Sequence, residues 1–157
     1  MPGHEFYLQM AIEEALGALI HHEGGPFGAV IVREGALLGK GHNTVLKSHD
    51  PTAHAEINAI RDACSTLQKH HLSGAVIYSN FEPCPMCLSA IYWADIRMVY
   101  HCAGSEIAED IGFMDKHLYD EFILPDEQKE VKVSHVAMKE MDALINKWNN
   151  LEDRVLY

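Results

Sequence analysis

A chain of 157 residues is the size of one domain, and at this length a single core can bury roughly two thirds of the unfolded surface. Its formal charge of -11, from 12 Lys and Arg against 23 Asp and Glu with no basic cluster, repels a polyphosphate backbone and disfavours nucleic acid as a partner. No run reaches the ~18 apolar residues of a membrane span, and Glu5, Glu13 and Glu14 stand where a secretory signal would be basic, so a soluble, cytoplasmic protein is expected.

Leu8, Ile12, Ala15 and Leu19 recur at helical spacing and predict a first helix over residues 5–22, stopped by the glycines and Pro26 of HHEGGP. GAVIVREGALLGKGHN predicts two strands, 29–32 and 36–41, joined at Glu34-Gly35 by a hairpin turn in which glycine supplies a positive φ. Asp50-Pro51-Thr52 has the chemistry of a helix start. That helix is expected to run to residue 69, with Ile57, Ile60, Cys64 and Leu67 as its buried stripe. Residues 75–79 predict a strand, PCPMCLSAIYWAD a helix behind Pro83, and 97–101 another strand. Strand, helix and strand joined by short links form the crossover of a parallel sheet, so the core is α/β. Beyond Cys102, SEIAEDIGF and HLYDEF predict short helical turns, 131–135 a final strand and 139–149 a last helix. There is no internal repeat or low-complexity tract.

Four cysteines are few for a disulfide scaffold, which turns the question to metal binding or catalysis. His54 and Glu56 lie outside the apolar stripe of their helix, in its first turn, and Cys84 and Cys87 occupy the first turn of the next. A Cys-x-x-Cys pair there aims both sulfurs off the helix end, where free N–H groups and the dipole favour thiolate. With the two helices side by side on one sheet face, His54 reaches the same point. A His/Cys/Cys set of this kind holds zinc with a fourth position open for water, as catalytic sites do. Zinc brings the pKa of such a water to about 7, and Glu56, a carboxylate that is not a ligand, is placed to carry its proton.

Each residue also has a plainer reading. CPMC alone fits a thioredoxin-like redox dithiol equally well. His54 alone is a solvated capping histidine, and Glu56 alone a first-turn acid that complements the helix dipole. Cys64 and Cys102 read as core thiols, and the pairs His21-His22 and His70-His71 as solvated turn residues.

HAE upstream of PCPMC is the signature of zinc-dependent nucleobase deaminases, and the chain resembles the cytidine-deaminase-like superfamily. Within it the chain is similar to the small bacterial guanine deaminases, through GGPFGAVIV, GHNTV, DPTAHAEINAIRDAC, EPCPMCLSAIYWA, GFMDKHLYDE and a C-terminal tyrosine. The resemblance implies a three-layer α/β/α fold with a five-stranded mixed sheet. It implies one zinc per subunit held by His54, Cys84 and Cys87, with Glu56 as proton shuttle. It also implies Asn43 hydrogen-bonded to the purine, Phe27 and Trp93 as walls, and Asp115 and Tyr157 contacting the base or its departing amine. The plainer readings are Asn43 as a turn residue, Phe27 and Trp93 as core, Asp115 as a solvated acid and Tyr157 as a frayed terminus. The implied assembly is a homodimer in which C-terminal segments, about 136–157, cross to cover the partner's site.

The implied reaction is hydrolytic deamination of guanine to xanthine and ammonia. Alternatives within the class are guanosine, cytosine, an amino-triazine such as ammeline, and adenosine in transfer RNA. Outside the class stand a thiol redox protein and an inactive, zinc-stabilised binding module.

Overall fold

In the computed structural model, which describes residues 2–156, Glu34 and Gly35 both take positive φ, 53° and 83°. That two-residue turn matches the twist of its flanking strands, so β1 (Gly28–Arg33) and β2 (Ala36–His42) form the expected antiparallel hairpin. β1 also pairs antiparallel with β3 (Val76–Phe81), which pairs in parallel with β4 (Met98–Ala103), giving the order β2-β1-β3-β4. α1 (His4–Ile20) precedes the hairpin; a single turn, α2 (Val45–Ser48), and then α3 (Ala55–Leu67) separate it from β3. α4 (Pro85–Trp93) makes the crossover to β4. α5 (Ser105–Asp110), α6 (Asp115–Ile123) and α7 (Glu140–Asn149) follow.

The central strand is buried on both faces. Val30 and Val32 pack with Tyr7 of α1 and Tyr78 of β3 on one side; Ala29 and Ile31 pack with Ile77 and the alanines of α3 on the other. Helices on both faces of a mixed sheet give the three-layer α/β/α architecture.

The sheet has four strands among the described residues, not five. Residues 131–135 alternate apolar and polar groups as a strand does, but Val131 and Val133 are 76% and 85% exposed. Strand propensity expresses fit to a half-buried pleated surface, and here no such surface is offered. All of residues 131–156, α7 included, are exposed. No described helix is long and apolar enough to cross a membrane.

α3 departs from expectation twice, for connected reasons. Asp50 Oδ1 accepts the N–H and hydroxyl of Thr52 at 2.8 and 2.7 Å, closing a turn and not a helix start. The helix begins at Ala55, with His54 as its N-cap residue. Its deeply buried positions are Ala55, Glu56, Ala59 and Ala63, whereas Ile60, Cys64 and Leu67 pack at the rim of the core and Ile57 is partly buried. The cause lies in β2, where a Cβ on Gly41 would stand 2.6 Å from the Ala59 nitrogen and one on Gly39 2.5 Å from the Ala63 nitrogen. Helix and strand backbones touch there, so only alanines fit between them and the branched residues are displaced sideways. Cys102 is also not a core thiol: it is exposed on β4, with its Sγ donating to the Asn80 carbonyl at 3.2 Å.

Candidate metal centre and substrate cavity

The close approach of α3 to the sheet brings its first residue beside the first residues of α4. His54 and Cys84 are the N-cap residues of the two helices, both with extended backbone, and neither side chain caps its own helix. Pro85 opens α4 with a pre-set φ, and Cys87 follows within the first turn. His54 Nδ1 lies 3.7 Å from Cys84 Sγ and 3.6 Å from Cys87 Sγ. Tetrahedral zinc, with Zn–N about 2.0 Å and Zn–S about 2.3 Å, sets a nitrogen and a sulfur ligand roughly 3.5 Å apart, close to both separations here, and all three ligand atoms lie within 4.8 Å of one another.

Their electrostatics agree. The Cys87 thiol and His54 both donate to the Cys84 sulfur and hold it down at about 4. Cys87 is raised in turn by the Cys84 thiolate and by burial, and His54 is raised by its hydrogen bond to the same thiolate. Two buried thiols cannot both ionise beside one another alone; a divalent cation is the partner that satisfies both.

Glu56, one residue into α3, is 4% exposed and directed to the same space. The Ser79 hydroxyl of β3 donates to its Oε1 at 3.0 Å, and burial raises the carboxyl above its ordinary range. A carboxyl oriented by hydrogen bonding and drawn toward neutrality by burial is suited to give and take a proton.

These groups open onto a cavity of about 400 Å³. Phe27 forms one wall, its ring edge-on to Phe81 and to Phe113, with centroids 5.0 and 4.6 Å away. Asn43 is buried in the cavity lining, where its Oδ1 accepts the N–H groups of Gly25 and Val45 at 3.3 and 3.2 Å. Two backbone donors on that oxygen fix the amide orientation and leave Nδ2, a donor, for the cavity. Asp115, the first residue of α6, is half-buried in the lining, and burial raises its carboxyl. Among the described residues, no lysine or arginine lines the cavity.

Of the residues singled out in the sequence, His54, Glu56, Cys84, Phe27, Asn43 and Asp115 line this one cavity and Cys87 lies behind it. Trp93 does not: it is 68% exposed at the end of α4, beside Trp148, Val155 and Leu156. Tyr157 lies outside the described residues. Sequence reasoning missed Phe113, Glu82 and Leu46, which also line the cavity. The first two stand within motifs already quoted, GFMD and EPCPMC, and nothing in their spacing signals that α5 and α6 fold back over the cavity. Two hydrogen bonds make that return: Glu82 Oε2 accepts the Ser105 N–H at 3.0 Å, and the Tyr119 hydroxyl, pushed up to about 12 by burial, donates to the Pro83 carbonyl at 2.7 Å.

Residues 1–103 match the cytidine and deoxycytidylate deaminase zinc-binding region. The chain belongs to this family of zinc-dependent deaminases. Its similarity to one member extends almost end to end: it is 40% identical to guanine deaminase of Bacillus subtilis (strain 168) over 154 residues, 98% of this chain and 99% of that one. The X-ray structure of guanine deaminase from Bacillus subtilis superposes with a TM-score of 0.93 over 99% of both chains. By contrast, the tRNA-specific adenosine deaminase of Aquifex aeolicus is 43% identical over 101 residues, covering 64% of this chain and 66% of its own. The likeness to the tRNA enzyme therefore covers about two thirds of the chain, whereas the likeness to the guanine enzyme covers nearly all of it.

Proposed function

We propose that this zinc deaminase converts guanine and water to xanthine and ammonia, and that it does so in the cytoplasm as a homodimer with one zinc per subunit. The observation that carries the substrate is the cavity itself: apolar walls for a flat ring, a fixed amide donor and the carboxylates of Glu56, Glu82 and Asp115 for its polar edges, and among the described residues no lysine or arginine to hold a phosphate. The near end-to-end likeness to a guanine deaminase supports the same reading. Four free thiols suit a reducing compartment.

In this reading His54, Cys84 and Cys87 hold the metal, which when bound supplies the Lewis acidity that makes water a nucleophile near neutral pH. Glu56 accepts the proton that water gives up, delivers it to a ring nitrogen beside C2, and passes a second to the departing amine, which leaves as ammonia. Ser79 keeps the carboxylate turned to that task. Asn43 Nδ2 donates to the ring carbonyl, Asp115 accepts from an N–H of the base, and Phe27 with Phe113 flanks the ring and excludes water.

Trp93 and Tyr157 join the site in this proposal through exchange of the C-terminal segment, about 136–157. The support is the exposed apolar surface there, with Met141, Leu144, Ile145 and Trp148 of α7 all exposed.

An ammonia-release screen of zinc-loaded protein over guanine, guanosine, cytosine, adenosine and ammeline tests the assignment. Guanine is expected to turn over fastest, and Glu56→Gln to cut its rate about 10³-fold with zinc still bound. Faster turnover of another base would refute the substrate, and an active Glu56→Gln enzyme would refute the mechanism.

A further inference from the structure

Asp115 reaches the cavity on α6, which packing holds weakly, whereas Phe113 ahead of it packs on Phe27 and the core. α6 has no fully buried residue, and its Leu118, Phe122 and Ile123 are 38%, 66% and 83% exposed. Phe113 and the buried Ala108 anchor the chain ahead of α6, but within α6 itself apolar burial does little to fix where Asp115 sits relative to the metal ligands. What fixes it is polar. The Tyr119 hydroxyl, one turn along α6 from Asp115 on the same helical face, donates to the carbonyl of Pro83 at 2.7 Å, and Pro83 is joined directly to Cys84. Glu82, one residue earlier, reinforces the join: its N–H donates to Ala103 at 2.7 Å, and its Oε2 accepts the Ser105 N–H at the start of α5. The segment Glu82-Pro83-Cys84 thus carries a metal ligand at one end and the anchor of the α5–α6 wall at the other.

We infer that Tyr119 is a positioning residue for deamination, its hydroxyl latching α6 to the Pro83–Cys84 segment and so setting where Asp115 meets the base. The inference rests on the guanine deaminase reading and deepens it. Tyr119 does not itself line the cavity, and the hydroxyl is the one polar group through which it touches the metal-ligand segment. Without that bond α6 keeps its helix but has no fixed distance to Cys84. Asp115 then samples positions beyond hydrogen-bond reach of the substrate, which weakens binding before it affects chemistry.

The test is a double-mutant cycle on the zinc-loaded, full-length enzyme with guanine: wild type, Tyr119→Phe, Asp115→Asn and the double variant. Wild-type turnover of guanine is read first, so failure of the functional reading shows before any variant is compared. Tyr119→Phe keeps the ring, and is expected to lower kcat/KM about tenfold, mainly through KM, with zinc content unchanged. In the Asp115→Asn background the same change is expected to cost less than about twofold, because its effect passes through Asp115. A Tyr119→Phe enzyme within twofold of wild type would overturn the inference. So would an equal loss in both backgrounds, which is what a tyrosine acting only on the fold or on Cys84 produces.

Discussion

Asn43 shows how a single side chain is committed in one direction by its neighbours. An amide could in principle offer a ring either hydrogen-bonding end, but the N–H groups of Gly25 and Val45 already occupy Oδ1. The cavity therefore sees a donor, and a donor selects a carbonyl edge. Asn43→Asp separates the two jobs. One carboxylate oxygen can still accept the Gly25 and Val45 N–H groups, so thermal unfolding should change little. The other oxygen would face the guanine carbonyl lone pairs, and kcat/KM for guanine should fall by about 10² or more, the loss expected when a buried donor–acceptor pair becomes two acceptors. 2,6-Diaminopurine, which presents an amine in place of that carbonyl, should lose far less. Equal losses for the two bases in steady-state kinetics would show that Asn43 does not read this edge.

The elements that hold such residues were legible in the sequence where one local signal dominates. The hairpin follows from Glu34-Gly35, and α4 from Pro-Cys-x-x-Cys, because turn and cap chemistry act within a few residues. α3 was misplaced because Asp50 can cap a helix or close a turn, and the choice depends on Gly39 and Gly41, which draw Ala59 and Ala63 onto β2 from elsewhere in the chain. Phe113 and Glu82 were missed for the same reason: the return of α5 and α6 is a tertiary event. One such link between elements carries a pH signature. Glu23, just after α1, accepts from Lys47 of α2 at 2.7 Å and lies 2.6 Å from His42 Nε2 of β2, and its backbone carbonyl accepts the N–H groups of Leu46 and Lys47. It thereby holds the α2 wall, with Val45 and Leu46, to the Gly24-Gly25 loop. The His42 hydrogen bond first, then Lys47, lowers the Glu23 carboxyl from 4.5 to about 2. A folded-state value below the unfolded one means the unfolded chain binds the extra proton, so stability rises with pH across this window. The contribution should be complete above about pH 5 and vanish as pH falls from there through about 2. Urea midpoints of wild type and Glu23→Gln should accordingly differ by a constant amount above that range and converge below it. A gap that persists unchanged at the acid end would show that Glu23 acts through packing alone.

At the scale of the whole molecule the tension is between a well-formed cavity and an exposed C-terminal segment, whose Trp148, Val155 and Leu156 lie beside Trp93. Residues 131–156 are all exposed, and α7 presents Met141, Leu144, Ile145 and Trp148 at helical spacing on an exposed face. In the proposed dimer a second copy of the chain would cover it, because a two-fold exchange would bury both apolar stripes with one geometry and let each tail close the other's cavity. Two full-length variants decide whether the tail crosses. Glu56→Gln disables the proton shuttle of its own cavity but carries an intact tail, and Tyr157→Ala leaves the shuttle intact but removes the terminal side chain. If each tail serves its own chain, every site in a mixed population has one defect, and mixing restores nothing. If tails cross, each mixed dimer contains one complete site. An equal mixture co-refolded from the two inactive proteins should then recover about a quarter of wild-type guanine turnover, since half the dimers are mixed and one of their two sites works. Activity that stays at the level of the separate variants, in a sample confirmed as mixed dimers by mass, would place the tail on its own chain and return Trp93 to the surface.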